Sequence, residues 1–247
     1  MFRRKFLFAA LIILLTSCTT SYQPASLAYA QYRIEKTLPS DSAMTALIQP
    51  YAVNINSVMN RVIGTSANNY SVSMPECEVG NFMADCFREM AEKKFGRKVD
   101  LAVMNRSGIR SYLSKGPITV GKVFELMPFD NLVVLQAVKG TVLQQFLDVT
   151  AADGGWPLSR GSSLVIRNKK ATDIIINGKA LDLNATYIVA NSDYIANGGS
   201  NCDMLKTIPQ ISMGYLMRDA MTEYITALTA SGKILEPIKE NRVSNGN

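Results

Sequence analysis

Leu132-Val-Val-Leu-Gln-Ala-Val-Lys-Gly-Thr-Val-Leu-Gln-Gln-Phe-Leu-Asp-Val149 decides the fold class. Leu132 to Val138 reads as a strong strand, Lys139-Gly140 turns the chain, and Val142 to Val149 continues as a helix. Upstream, Thr119 caps a short helix holding Val123, Phe124 and Met127, which Pro128 closes. Val99 to Met104 is a short apolar strand. Val79, Phe82, Met83, Cys86, Phe87 and Met90 keep helical spacing, and Gly96 stops that helix. Met44, Leu47, Ile48, Tyr51, Ile55, Val58, Met59 and Val62 form the apolar stripe of a further helix over 41–63. Asp41 or Ser40 can cap it, and Pro50 predicts a kink or a break.

Downstream, residues 153–162 form a Gly/Ser/Pro loop around the single tryptophan, Trp156. Leu164 to Ile166 and Asp173 to Ile176 are strands, and Asn177-Gly178 is a hairpin turn. Tyr187 to Ala190 is a strand. Met217, Ala220, Met221, Tyr224 and Leu228 mark a last helix, ended by Gly232. Strands and helices intermix, with a hairpin and no regular βαβ repeat. The expectation is an α+β fold: a mixed sheet with packed helices.

The N-terminal residues lie outside that pattern. Arg3, Arg4 and Lys5 precede an apolar run, Phe6 to Leu15, too short to span a membrane comfortably. Leu15-Thr-Ser-Cys18 then has the form of a bacterial lipobox, the alternative being an ordinary signal peptide with an incidental cysteine. The expected organisation is a lipoprotein signal over 1–17, a tether over 18–39 from lipidated Cys18, and a domain over 40–243. The chain would be exported and lipid-anchored to the cell envelope, facing periplasm or surface. Loss of 1–17 removes three positive charges, so the formal charge falls from +6 to +3. No Lys/Arg-rich run interleaves with aromatics, which argues against nucleic-acid binding.

Cys77, Cys86 and Cys202 remain after Cys18. An odd number argues against a disulfide framework. Cys77 and Cys86 could pair in an oxidising compartment, but if both lie on one helix they are about 13 Å apart and cannot. The 247 residues contain no histidine, so a zinc site is not expected.

Three segments set polar or aromatic groups beside a bend. Asn105-Arg-Ser-Gly-Ile-Arg110 follows a strand. Its amide suits an edge carrying donors and acceptors, and its guanidinium suits phosphate; taken alone, the pattern is better explained by a turn-fixing Asn and a solvated Arg. Met127-Pro-Phe-Asp-Asn131 holds Phe129 on a rigid corner, as core or as a stacking platform. Asp193-Tyr-Ile-Ala-Asn-Gly-Gly-Ser200 follows a strand, and its glycines permit a tight loop. Tyr194 there is either an opposing wall or part of a plain turn.

Taken in order, these segments resemble the C-terminal domain of the 5′-nucleotidase family over roughly Asp41 to Val243. Glu76-Cys-Glu-Val-Gly-Asn81 is similar to the family's Glu-x-x-x-Gly-Asn helix start. Asn105-x-x-Gly-Ile-Arg110 is similar to its Asn-x-Gly-Gly-Ile-Arg, and Pro128-Phe129 to its Pro-Phe-x-Asn. Val138-Lys-Gly140 with Leu143, the Tyr187 strand with Tyr194-Ile-Ala-Asn-Gly-Gly, and Ile234-x-x-Pro…Asn241-Arg-Val243 complete the series.

The resemblance implies a nucleotide or nucleoside ligand. Phe129 and Tyr194 would sandwich the base, Asn105 and Arg110 would meet base and phosphate, and Asn197, Gly198, Gly199 and Ser200 would complete the substrate-binding set. Stacking contributes about 1–3 kcal/mol per base in single-strand binders. Three departures weaken the match. The first glycine of the family's Asn-x-Gly-Gly is Ser107 here. The family Asp that grips the ribose is Ser200 here, and a family Arg falls on Pro75.

The family's chemistry resides in a two-metal, histidine-rich metallophosphatase domain. With no histidine here, the expectation is recognition without catalysis: no catalytic residue, no metal and no cofactor in this chain. The divalent metals would sit in a separate metallophosphatase partner. Asp182 and Asp193 read as isolated surface carboxylates. Two further readings stay open: a capture lipoprotein with no enzyme partner, and an interaction domain whose site has decayed.

Overall fold

The computed structural model describes residues 26, 28–33, 35 and 37–246. Cys18, the signal segment and much of the tether lie outside the described residues. The chain divides between Leu47 and Ile48 into two units. Helix α1 (Ser42–Met59) runs across that division, and Asp41 caps it by accepting the Met44 N–H at 3.0 Å. It continues through Pro50 without a break, and none of its residues is buried.

In the second unit, the strand that decided the fold class is β4 (Leu132–Lys139). It pairs antiparallel with β8 (Thr186–Ser192) on one side and with β9 (Gln210–Leu216) on the other. On the far side of β8, β2 (Leu101–Ala102) pairs in parallel, giving a mixed sheet in the order β2-β8-β4-β9. Alternation divides this sheet between two cores. Val133, Leu135 and Ala190 face one, while Val138 and Val189 face the other.

The first core is closed by α2 (Glu78–Phe95), α3 (Val120–Leu126) and α6 (Met217–Ala230), with the small sheet β1 (Val62–Ser66) and β3 (Gly116–Thr119). The second is closed by α4 (Gly140–Ala152), by Trp156, and by a second mixed sheet. That sheet runs β10-β5-β6-β7, built from β5 (Ser163–Arg167), β6 (Lys170–Ile176), β7 (Lys179–Ala180) and β10 (Val243–Asn245). Asn177 (φ 51°) and Gly178 (φ 74°) turn β6 into β7 in the left-handed conformation a two-residue hairpin needs.

The architecture is α+β. The sheet structure is richer than the single mixed sheet expected. The strand expected over Val99–Met104 also contracts to two residues. Val103 bridges to Leu158, and the Met104 N–H goes to the Pro157 carbonyl at 3.0 Å, so the chain leaves the sheet there.

A buried clasp ties the C-terminus to α2. The Glu76 carboxylate accepts the backbone N–H groups of Glu240, Asn241 and Arg242 and the Asn81 amide. Arg242 answers with a two-pronged pair to Asp85 at 2.7 and 2.8 Å and a further pair to Glu240. The Glu76…Asn81 pattern is thus part of the scaffold. Cys77, Cys86 and Cys202 are free and buried.

Candidate functional site

Asn105 ends the stretch after β2 and starts a 3₁₀ turn, Arg106–Gly108. Its side chain is almost completely buried, at 4% exposure. Nδ2 donates to Ser107 Oγ at 3.1 Å, while Oδ1 is buried with no partner. A buried acceptor left unpaired is costly unless a ligand supplies the donor. Gly108 makes room for this amide: a Cβ there would lie 2.6 Å from Met104 Cε and 3.0 Å from Asn105 Oδ1.

Arg110 follows on the same turn. Its backbone N–H is held by the Leu126 carbonyl at 2.9 Å. Its guanidinium has only a long contact to the Ser107 carbonyl, at 3.4 Å, and lies 6.0 Å from the Phe129 ring centre. It makes no ion pair among the described residues, so its charge is uncompensated.

Phe129 sits between α3 and β4. Met127, two residues earlier, is fully buried, yet Phe129 itself is 40% exposed. Tyr194 stands in α5 (Asp193–Ala196), directly after β8, and is 47% exposed. Its ring rests against Gly199, and its hydroxyl accepts the Ser200 N–H at 3.2 Å. Ser192 caps α5 through the Ile195 N–H.

These groups meet in one pocket of about 310 Å³, lined by Asn105, Ser107, Gly108, Arg110, Phe129, Asn131 and Tyr194. That is the lower end of the size range of small-molecule sites. Two exposed aromatic rings, a buried free amide oxygen and an unpaired guanidinium suit a flat heterocycle with an anionic substituent.

The loop 197–200 is not part of that lining. Asn197 Oδ1 accepts from Gln210 Nε2 at 2.9 Å. Gly198 takes a left-handed φ of 88°. Gly199 backs Tyr194, and Ser200 lines a neighbouring cavity. Two residues gain importance that sequence reading gave them no part in. Asn131 lines the pocket within a segment singled out for Phe129. Asp193 is not an isolated surface carboxylate: its Oδ1 accepts the Leu132 N–H at 3.0 Å and the Tyr194 N–H at 2.9 Å. One oxygen therefore joins the loop carrying Phe129 to the turn carrying Tyr194.

Residues 62–207 match the family described as "5′-nucleotidase, C-terminal domain". The chain belongs to that family. A 5′-nucleotidase of Vibrio parahaemolyticus is 26% identical over 202 residues, covering 78% of this chain and 35% of the relative. The protein UshA of Yersinia enterocolitica is 31% identical over 131 residues, covering 51% of this chain and 24% of the relative. This 5′-nucleotidase C-terminal domain chain thus spans about a third or less of the length of the curated relatives it matches. Among solved structures, the 5′-nucleotidase precursor of Thermus thermophilus superposes with a TM-score of 0.72 at 25% identity, covering 85% of this chain and 44% of that one. The NAD nucleotidase of Haemophilus influenzae shares the fold, with a TM-score of 0.63 at 14% identity, over 84% of this chain and 42% of its own.

Proposed function

We propose that this chain is the nucleotide-recognition unit of a 5′-nucleotidase-type phosphoric monoester hydrolase. Phe129 and Tyr194 flank the base, Asn105 and Asn131 address its polar edge, and Arg110 meets the phosphate. The observation that carries the reading is the pocket itself. It exposes two aromatic rings beside a buried, unpartnered amide oxygen and an uncompensated guanidinium. The loop 197–200 acts by supporting Tyr194 rather than by lining the pocket.

Hydrolysis in this proposal takes place on a metallophosphatase carried by a separate chain, which holds the divalent metals. The sequence has no histidine, and among the described residues no group of three His, Cys, Asp or Glu side chains is placed to hold a metal ion. The chain is exported and anchored through lipidated Cys18, with 18–39 as tether and 40–243 as the working domain. Labelled palmitate incorporation that is lost in Cys18→Ala tests the anchor. Among the described residues no helix is long and apolar enough to cross a membrane.

Calorimetry with AMP and adenosine tests recognition. Binding that falls about 5- to 150-fold in Phe129→Ala matches the loss of one stacking face, whereas equal affinity in the variant refutes the assignment. Mixing tests the division of labour: the chain alone releases no phosphate from AMP, and a partner metallophosphatase gains activity when it is added. Metal-dependent hydrolysis by the chain alone defeats the split. Binding with no response from any phosphatase favours the second reading, a nucleotide-capturing lipoprotein.

A further inference from the structure

A second cavity, of about 480 Å³, opens beside the aromatic pocket. The two share Ser107 as a wall. Tyr194 lines the first and Ser200 the second, and their hydroxyl oxygens are 3.4 Å apart, so this pair marks the boundary. The chemistry changes across it. Each cavity has one arginine, but the first is walled by two exposed rings with Asn105 and Asn131, while the second is lined by Arg106, Ser107, Ser200 and Asn201 together with Val149, Ala152 and Trp156.

Arg106 is the informative group. Its Nε is buried with no hydrogen-bond partner, and the guanidinium makes no ion pair among the described residues. An uncompensated fork of donors beside hydroxyl-bearing residues is suited to an oxyanion. Asp153 brings one carboxylate to the same lining, where its Oδ2 accepts the Trp156 Nε1–H at 2.6 Å. The cavity is therefore not uniformly positive, and an anion belongs beside the shared wall, with Arg106, Ser107 and Ser200. Ser107 stands between two arginines: its carbonyl accepts from Arg110 in the first cavity, and Arg106 precedes it in the second. Two guanidiniums thus serve adjoining cavities from one short turn.

We propose that the second cavity receives a second phosphate on the same ligand: a nucleotide phosphorylated on its ribose 2′- or 3′-oxygen as well as at the 5′ position. This rests on the reading that the base occupies the aromatic pocket. With the base between Phe129 and Tyr194 and the 5′-phosphate at Arg110, the sugar lies against Ser107. A substituent on its secondary hydroxyls then enters the Arg106 cavity. Ser200 is compatible with that substituent because it adds a hydroxyl donor and no negative charge.

Calorimetry on the full chain compares 5′-AMP, adenosine 3′,5′-bisphosphate and adenosine 2′,5′-bisphosphate. One bisphosphate is expected to bind roughly tenfold or more tightly than AMP, the gain of a charge-assisted contact. Arg106→Gln erases that gain and leaves AMP affinity within about twofold. Arg106→Lys keeps the charge without the planar fork, is the variant to use if the glutamine form does not fold, and loses part of the gain. The proposal is overturned if neither bisphosphate exceeds AMP, or if the advantage persists in both variants. AMP binding without a bisphosphate gain sinks this inference alone and leaves the base assignment standing. No binding of any of the three ligands sinks both.

Discussion

Gly199→Ala isolates the support of the aromatic pocket from its walls. A Cβ built on Gly199 would lie 2.4, 2.5 and 2.6 Å from Cζ, Cε1 and Cε2 of Tyr194. Ordinary carbon–carbon contact is at about 3.5–4.0 Å, so the ring must retreat by roughly 1 Å or more. The backbone gives no other reason for glycine, since residue 199 is outside the left-handed region. Retreat also breaks the hydrogen bond from the Ser200 N–H to the Tyr194 hydroxyl. Both groups are exposed, so water replaces the partner and folding stability changes by less than about 1 kcal/mol. On the proposed base assignment binding changes more, because one face of the base would lose its platform, a loss of about 1–3 kcal/mol or roughly 5- to 150-fold in Kd for AMP. Calorimetry on Gly199→Ala, Tyr194→Ala and the double variant reads this directly. If the glycine acts through the ring, the double variant binds no more weakly than Tyr194→Ala alone. Wild-type affinity in Gly199→Ala, or full additivity in the double variant, refutes the reasoning.

Asp193→Ala removes the oxygen that accepts both the Leu132 and Tyr194 N–H groups, and AMP affinity is expected to fall at least fivefold, whereas Asp193→Asn keeps an acceptor and retains most of it; titration calorimetry separates the two. Arg242→Ala leaves Asp85 and Glu240 without their buried partner, and should cost about 3–5 kcal/mol of unfolding free energy in a urea titration. The same clasp makes stability acid-sensitive. Burial alone would raise the Glu240 carboxyl, but hydrogen bonds and charge from Arg242 and Arg160 outweigh it and hold it below its ordinary value of 4.5. A depressed carboxyl contributes stability that is complete above the unfolded value and is lost as pH falls through the folded one. The urea midpoint of the native chain should therefore drop below about pH 4.5 with a steeper slope than that of Arg242→Ala. Burial, reinforced by Asp203, pushes the Cys202 thiol up to about 12, and burial with Glu89, Asp85 and Glu223 raises Cys86. Ellman's reagent at pH 8 should therefore leave both thiols unmodified in the native protein and label them in denaturant.

Helices with a face against the core were legible because apolar spacing records that contact. The stripe from Val79 to Met90 gave α2, and Gly96 takes the left-handed φ of 63° expected of a C-terminal stop. Thr119 accepts the Lys122 N–H at 3.2 Å as a cap should. Three of the strands left unread share a different character. β1, β3 and β9 contain Gly64, Gly116, Pro117 and Gly214, residues depleted in strands, and β1 and β9 each carry a register irregularity. Their pairing is decided far away in the chain, as Val62 opposite Thr119 shows. The stripe over 41–63 shows the reverse case. The helix forms, yet Met44, Leu47, Ile48, Tyr51, Ile55 and Val58 are all exposed, so periodicity located an element without locating a core.

The same distinction explains what was legible of the site. Asn105, Arg110, Phe129 and Tyr194 stood out because each flanks a Gly- or Pro-marked bend, and local chain chemistry is visible in sequence. Asp193 did not, because its partner Leu132 is 61 residues away and is a backbone N–H, which carries no side-chain signature. Yet Asp193 explains why the pocket has two walls. β4 and β8 are already antiparallel neighbours, with Val133 opposite Ser192. The start of one and the end of the other therefore meet at a single edge of the sheet. Phe129 leads into β4 and Tyr194 leads out of β8, so sheet register alone brings their segments together. The carboxylate of Asp193 then fixes the spacing by accepting from both segments at once. The proposed recognition groups, placed this way, inherit the rigidity of the central sheet rather than of their own loops. That is the condition under which a modest pair of stacking contacts can select a flat ligand without ordering it at binding.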